Sequence, residues 1–236
     1  MLEQYQAPVN RAPAEERYAP VAPGAVIAAD AGVVLRHVRD DDGAAIIALV
    51  SAVWSEYPGK TLAASRDMPE LLAPATAYSK ANGRFWVIEA RGEIIGTVAL
   101  KPNAHDAGIV ELQKMYVAHP VRHNGLGTFL CSLVEREAGA RGAHAIELWS
   151  DVKLLDAHRH YRRLGFVRGP ELRYVSDSSR TVQYYYRKAL IRVTAEDVAI
   201  GPASWHMLVH SWAASGAAFA QPYIVTQALA QTPAQP

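Results

Sequence analysis

From Val33 onward the chain alternates short runs of period two with longer runs of helical period. That alternation predicts a layered α/β (α+β) domain in which helices cover a sheet. Residues 33–38 read as the first strand. Asp40, Asp41 and Asp42 then supply N-cap and first-turn carboxylates to a helix whose apolar positions are Ile46, Ile47, Leu49, Val50, Val53 and Trp54. Pro58 and Gly59 stop it. A second helix is expected to start near Pro69, because proline suits a first helical turn, and to end at Asn82 and Gly83. Residues 85–90 and 94–100 flank a turn at Arg91 and Gly92 and predict an antiparallel hairpin.

Residues 109–117 form the fourth predicted strand. Strict alternation puts Val110, Leu112 and Lys114 on one face and Glu111, Gln113 and Met115 on the other, so one face is polar for a core strand. The loop Arg122-His-Asn-Gly125-Leu-Gly127 leads into a helix with Leu126, Phe129, Leu130, Leu133 and Val134 on its apolar face, ended by Gly139 and Gly142. A strand at 145–149, a helix at 154–164 closed by Gly165, a return to strand at Phe166 and Val167, and two last strands near 172–175 and 182–187 complete the pattern. The polar turn Asp177, Ser178, Ser179 joins the last two.

Composition narrows the partners. The 236 residues carry 24 Lys plus Arg against 23 Asp plus Glu, a formal charge of +1, so neither nucleic acid nor an anionic membrane is expected as the main partner. No apolar run reaches the roughly 18 residues of a membrane span, and a soluble chain is expected. The single cysteine, Cys131, excludes an internal disulfide and a multi-cysteine zinc site, which fits a reducing cytoplasm. Residues 1–32, rich in Ala and Pro, read as a flexible tail. Residues 191–236 read as an extension whose last part, after Val198, holds no Asp, Glu, Lys or Arg. A helix packed on the domain, a homodimer contact and an Ala/Pro/Gln tail are its alternatives. His206 and His210 share a helical spacing, but Met207 stands where a zinc-binding helix would carry glutamate, and no metal is expected.

The chemistry concentrates at the Gly-rich loop. A strand entering Arg122-x-x-Gly125-x-Gly127 and then a helix gathers bare N–H groups and the positive helix end at one point, a site for an anion. Side chains at the two glycines would hold phosphates away from those amides, and Arg122 adds a guanidinium suited to phosphate oxygens. Leu130 replaces the third glycine of a dinucleotide fingerprint, and no Gly-Lys-Ser/Thr is present for a Walker loop.

Arg122, Gly125 and Gly127, the preceding run Leu112-Gln-Lys-Met-Tyr-Val117, His119-Pro120 and the later Ala157-His-Arg-His-Tyr161-Arg-Arg-Leu-Gly165-Phe166 together resemble the GNAT superfamily of N-acetyltransferases over residues 33–190. The resemblance implies a mixed, mostly antiparallel sheet of about seven strands, splayed between its fourth and fifth, with about four helices. It implies acetyl-CoA as cosubstrate, its pyrophosphate on His123, Asn124, Gly125, Leu126, Gly127 and Thr128, and its pantetheine along Met115, Tyr116 and Val117. Leu154 stands where many relatives carry a pantetheine-binding Asn, and Ser150 and Asp151 resemble a variant that replaces this contact. Tyr161 matches the tyrosine that protonates the departing thiolate. Glu111 resembles the position of a water-relaying general base, with a salt-bridged strand glutamate as the alternative; Glu56 and His105 are lesser candidates, and some relatives use no dedicated base. Trp54, Glu56 and Tyr57 fall where the family builds its acceptor pocket. The implied reaction is direct attack of an amine, of a small molecule first, on the bound thioester. A protein lysine or N-terminus as acceptor, and a non-catalytic acyl-CoA sensor, are the alternatives.

Overall fold

The computed structural model describes residues 22–30 and 32–190. The alternation of Phe85, Trp86, Val87 and Ile88 shows how the core divides. Trp86 and Ile88 pack on one face of the sheet with Leu100, Leu112, Leu130, Leu133 and Ile146. Phe85 and Val87 pack on the other with Ile46, Val50, Leu71 and Tyr78. A strand with both faces covered is apolar through its middle, and the run 85–88 is.

Eight strands form one sheet: β1 (Val26–Asp30), β2 (Val33–His37), β3 (Arg84–Ala90), β4 (Glu93–Pro102), β5 (Ile109–Val117), β6 (Ala145–Asp151), β7 (Val167–Tyr174) and β8 (Val182–Ala189). Their order is β1-β2-β3-β4-β5-β6-β8-β7. Helix α1 (Gly43–Ser55) covers one face with the short α2 (Ala64–Asp67) and α3 (Pro74–Lys80) beside it, while α4 (Leu126–Ala140) and α5 (Leu155–Arg163) cover the other. The expected α/β class, hairpin and helix order are present, with four corrections.

Residues Val26–Asp30, expected in the tail, make an eighth strand against β2. The helix expected from Pro69 to Asn82 is two pieces, a 3-10 turn (Pro69–Leu72) and α3, because Pro74 forces Ala73 out of the helical region to φ −146°, ψ 70°. Asp40–Asp42 form their own 3-10 turn instead of capping α1 through their side chains. Asp40 accepts from Thr76 (2.6 and 2.9 Å), and Asp42 takes a bidentate bond from the buried Arg36 (2.7 and 2.8 Å), which also holds Glu89. Finally, the expected strand pieces at 166–167 and 172–175 are one edge strand, β7, which leaves Phe166 and Val175 just outside and carries a register shift around Gly169 and Pro170, a position an edge strand tolerates. The other expectations on 1–21 and 191–236, including His206 and His210, lie outside the described residues.

Among the described residues β5 and β6 are the sole parallel pair, and their register runs only from Ile109 opposite Ala145 to Leu112 opposite Leu148. Beyond that the strands part. The partner on the far side, β4, adds a bulge: Thr97 pairs with Tyr116 but Ala99 with Gln113, so β5 holds one extra residue. Lys114 takes φ 50°, and its carbonyl accepts from the Thr97 hydroxyl at 2.8 Å. The bulge overturns the expected alternation. Before it, Val110 and Leu112 face α4; after it, Met115 and Val117 do, and Tyr116 turns toward α1.

Candidate active site

The parting of β5 and β6 opens a cavity of about 480 Å³. Its wall includes Trp54, Glu111, Met115, Tyr116, Ser150, Asp151 and Tyr161, so seven of the residues singled out in the sequence meet there. A hollow of about 500 Å³ beyond the β7–β8 loop shares part of that loop and holds none of them.

Tyr161 stands on α5, whose C-terminal turn is closed by Phe166 N–H on the Tyr161 carbonyl (3.0 Å). Its ring packs among Phe166 and Tyr186 at centroid distances of 5.8 and 6.0 Å, and 6% of the residue is exposed. Burial pushes its phenol well above the ordinary value, with the Cys131, Tyr116 and Tyr186 neighbours adding to the effect. It is therefore a neutral O–H donor at pH 7. Burial likewise pushes Tyr116 up to about 12 and raises the Cys131 thiol, which sits against Glu135 and is no nucleophile.

Glu111 lies opposite Glu147 in the β5–β6 register. Glu147 is occupied by neutral donors, Asn103 Nδ2 at 2.5 Å and Tyr185 Oη at 3.1 Å. Glu111 has no hydrogen-bond donor among the described residues; Arg173 approaches it at 3.7 Å. Arg173 donates from Nε to Gln183 (2.8 Å), and its guanidinium lies 4.6 Å from the centre of the Trp149 ring. Burial lowers the Arg173 pKa, while Glu111 and Glu147 oppose it.

Asp151 does not face the cavity as a free carboxylate. It binds the buried Lys60 ammonium at 2.7 Å and the Lys153 amide at 2.9 Å, and its carbonyl contacts His158 Nε2 at 2.9 Å. Lys60 also donates to Thr181 (2.8 Å) and lies 3.6 Å from the centre of the Trp54 ring. Lys60, Arg173, Trp149 and Thr181 were not legible in the sequence. Their approach depends on β8 inserting between β6 and β7, and a lone lysine after Pro58-Gly59 carries no local signal of that.

The Gly-rich loop leads from the end of β5 to α4. His123 (φ 65°) and Gly125 (φ 84°) both occupy the left-handed region, and Gly125 is the N-cap of α4. Phe129 N–H takes the Gly125 carbonyl (2.9 Å) as the helix begins, so the first-turn amides of Leu126, Gly127 and Thr128 have no intrahelical acceptors. A Cβ on Gly127 would meet His160 Nε2 at 3.0 Å, so this glycine lets α5 approach α4. Arg122 closes the loop: Nε donates to the Val117 carbonyl (2.9 Å), and the terminal nitrogens grip Glu56 (both 2.7 Å). Glu56 is thus tied to the loop, Tyr57 packs half-buried on the α1 side, and His105 is exposed between β4 and β5; none of the three lines the cavity.

The acetyltransferase (GNAT) family profile matches residues 46–166. The chain is 30% identical over 139 residues to the Escherichia coli protein named uncharacterized N-acetyltransferase YjgM, covering 56% of this chain and 81% of that one. It is 30% identical over 135 residues to the aminoalkylphosphonate N-acetyltransferase of Salmonella typhimurium, covering 56% and 83%. A GNAT-family acetyltransferase from Staphylococcus aureus shares the fold with a TM-score of 0.57 at 20% identity, over 67% of this chain and 99% of that one. A putative acetyltransferase from Salmonella typhimurium, solved with its cofactor acetyl-CoA, does so with a TM-score of 0.54 at 20% identity, over 71% and 99%. The chain belongs to the GNAT family of acetyltransferases.

Proposed function

We propose that the protein transfers acetyl from acetyl-CoA to the primary amine of a small molecule by direct attack within the cavity between β5 and β6. The single observation that carries this reading is the meeting, in one cavity, of an unshared carboxylate (Glu111), a neutral buried phenol (Tyr161) and the bulged, unpaired edge of β5. The left-handed turn at Gly125 and the first-turn amides of α4 suit a diphosphate. The open edge at Met115, Tyr116 and Val117 suits an extended amide-bearing arm that adds to the strand.

Acetyl-CoA supplies an acetyl group activated as a thioester. An amine arrives mostly protonated, since its ordinary pKa exceeds 7. Glu111 takes that proton, directly or through a water, and the freed nitrogen lone pair then forms the bond to the carbonyl carbon. The C–S bond breaks as Tyr161 donates its proton to the departing sulfur, and the second proton of the attacking nitrogen, lost as the amide forms, returns through solvent to Tyr161. Strand amides beside the bulge stabilise the oxyanion. Asp151, held by Lys60, contributes to the cavity wall and to the start of α5 rather than to the pantetheine. The setting proposed is the cytoplasm, which the lone buried thiol suits. Among the described residues no helix is long and apolar enough to cross a membrane.

Release of free thiol from acetyl-CoA, followed across a panel of small amines and lysine peptides, tests the reading. Acceptor-dependent release with small amines is expected. Release only with peptides would move the acceptor to proteins, and tight CoA binding with no release would make the chain a sensor.

A further inference from the structure

Most ionic groups lining the cavity already have partners. Lys60 and Asp151 hold each other, Lys114 is held by Glu70 at 2.7 Å, and Asp67 and Asp177 accept backbone amides of Ala63, Ser178, Ser179 and Thr181. Two lining groups differ. The Glu111 carboxylate accepts no hydrogen bond, and the terminal nitrogens of Arg173 donate none, among the described residues. They stand side by side, 3.7 Å apart, with the side chains 20% and 42% exposed. A contact of that length and exposure is a loose ion pair that holds neither group strongly.

The chemistry left unshared is therefore one acceptor and one donor of opposite sign at a separation of a few ångströms. A cationic amine alone would satisfy Glu111 and leave the terminal nitrogens of Arg173 without hydrogen bonds. An amine with an anionic group one or two carbons away satisfies both, exchanging a loose pair for charge-assisted hydrogen bonds at each end. The guanidinium lies over the Trp149 ring, 4.6 Å from its centre, and is anchored through Nε to Gln183, which leaves its outer nitrogens to meet a planar or tetrahedral oxyanion.

We propose that the acceptor is a zwitterion, an amine carrying a nearby carboxylate or phosphonate, with Arg173 as the residue that selects the anion. This rests on the acetyltransferase reading. The test compares kcat/KM for β-alanine, aminomethylphosphonate and propylamine, in the parent and in Arg173→Met and Arg173→Lys. Replacing two charge-assisted bonds predicts a preference for at least one anionic acceptor over propylamine of roughly ten- to a hundredfold, expressed mainly in KM. The preference should collapse toward one in Arg173→Met and return in part in Arg173→Lys. The two anionic acceptors distinguish carboxylate from phosphonate. A thermal midpoint raised by acetyl-CoA in every variant verifies the fold.

Equal rates for all three amines, or a preference unchanged in Arg173→Met, would overturn the zwitterion site while leaving acetyl transfer standing. If no amine is acetylated, the transfer reading fails, and calorimetry with β-alanine and aminomethylphosphonate on the CoA-loaded protein decides the site. Binding of either, lost in Arg173→Met, supports it; absence of binding by both overturns it.

Discussion

Tyr161 owes its chemistry to its surroundings. A phenol in water is already a poor acid at pH 7, and burial among Phe166, Tyr186 and Cys131 makes it poorer. It keeps its proton while the substrates bind and donates a hydrogen bond to the thiolate that develops beside it, the transfer being completed as the phenol oxygen is reprotonated. Tyr161→Phe removes only that donor, so kcat should fall roughly a hundredfold with little change in acetyl-CoA affinity; steady-state kinetics beside calorimetry read the two separately. For Glu111 the absence of hydrogen-bond donors argues against a role as structural glue, because removing the carboxylate breaks no protein hydrogen bond. Glu111→Gln should therefore leave the thermal midpoint within a degree or two while kcat/KM falls roughly tenfold or more. A fall in stability with unchanged kinetics would return Glu111 to a structural role.

At the scale of elements, the turn into α4 and the bulge in β5 divide what sequence can say from what it cannot. The loop was legible because each part has a local signature: two glycines, a preceding strand, a following amphipathic run. Its details were not. Arg122 reaches Glu56, sixty-six positions away, and the missing Cβ of Gly127 faces His160 rather than open space. The bulge was invisible because Lys114 is neither Gly nor Asn, so nothing in the string announces φ 50°. Strict alternation past Lys114 puts Met115 on the wrong face, since the bulge returns it to the side of Val110 and Leu112. Proline carries a local signal of its own: Pro74 splits the second helix, which a single run from Pro69 to Asn82 passes over. Gly125→Val places a β-branched residue at φ 84°, which costs about 1–2 kcal/mol and shifts the helix start. Acetyl-CoA affinity should fall at least tenfold, measured by calorimetry. Equal affinity would mean that the α4 amides do not hold the diphosphate.

At the scale of the whole molecule, the α/β class and the assignment of Leu126, Leu130 and Leu133 to a core face followed from periodicity, and the structure buries all three. What periodicity does not encode is which strands become neighbours. The insertion of β8 between β6 and β7 brings Arg173 and Trp149 to the site, and the ion pairs that fasten distant segments are likewise set by topology. Arg36 is one such fastener, joining β2, β3 and the turn before α1 through Asp42 and Glu89. Arg36→Met leaves the buried Asp42 carboxylate uncompensated and should cost about 3–5 kcal/mol in chemical denaturation. Burial pushes the Asp42 carboxyl up, but hydrogen bonds from Arg36 and the Arg39 amide outweigh it and hold it below its ordinary value. Its contribution is thus present above the unfolded value near pH 4 and is lost as pH falls through the lower folded value. The parent should lose stability over that acid range, and Arg36→Met should lose less.

A crystal of the protein grown with acetyl-CoA is the most direct measurement. The account predicts the diphosphate within hydrogen-bond distance of the amides of residues 125–128, the pantetheine along Met115, Tyr116 and Val117, and the thioester sulfur beside the Tyr161 hydroxyl. Acetyl-CoA seated away from the gap between β5 and β6, or its sulfur remote from Tyr161, would contradict it.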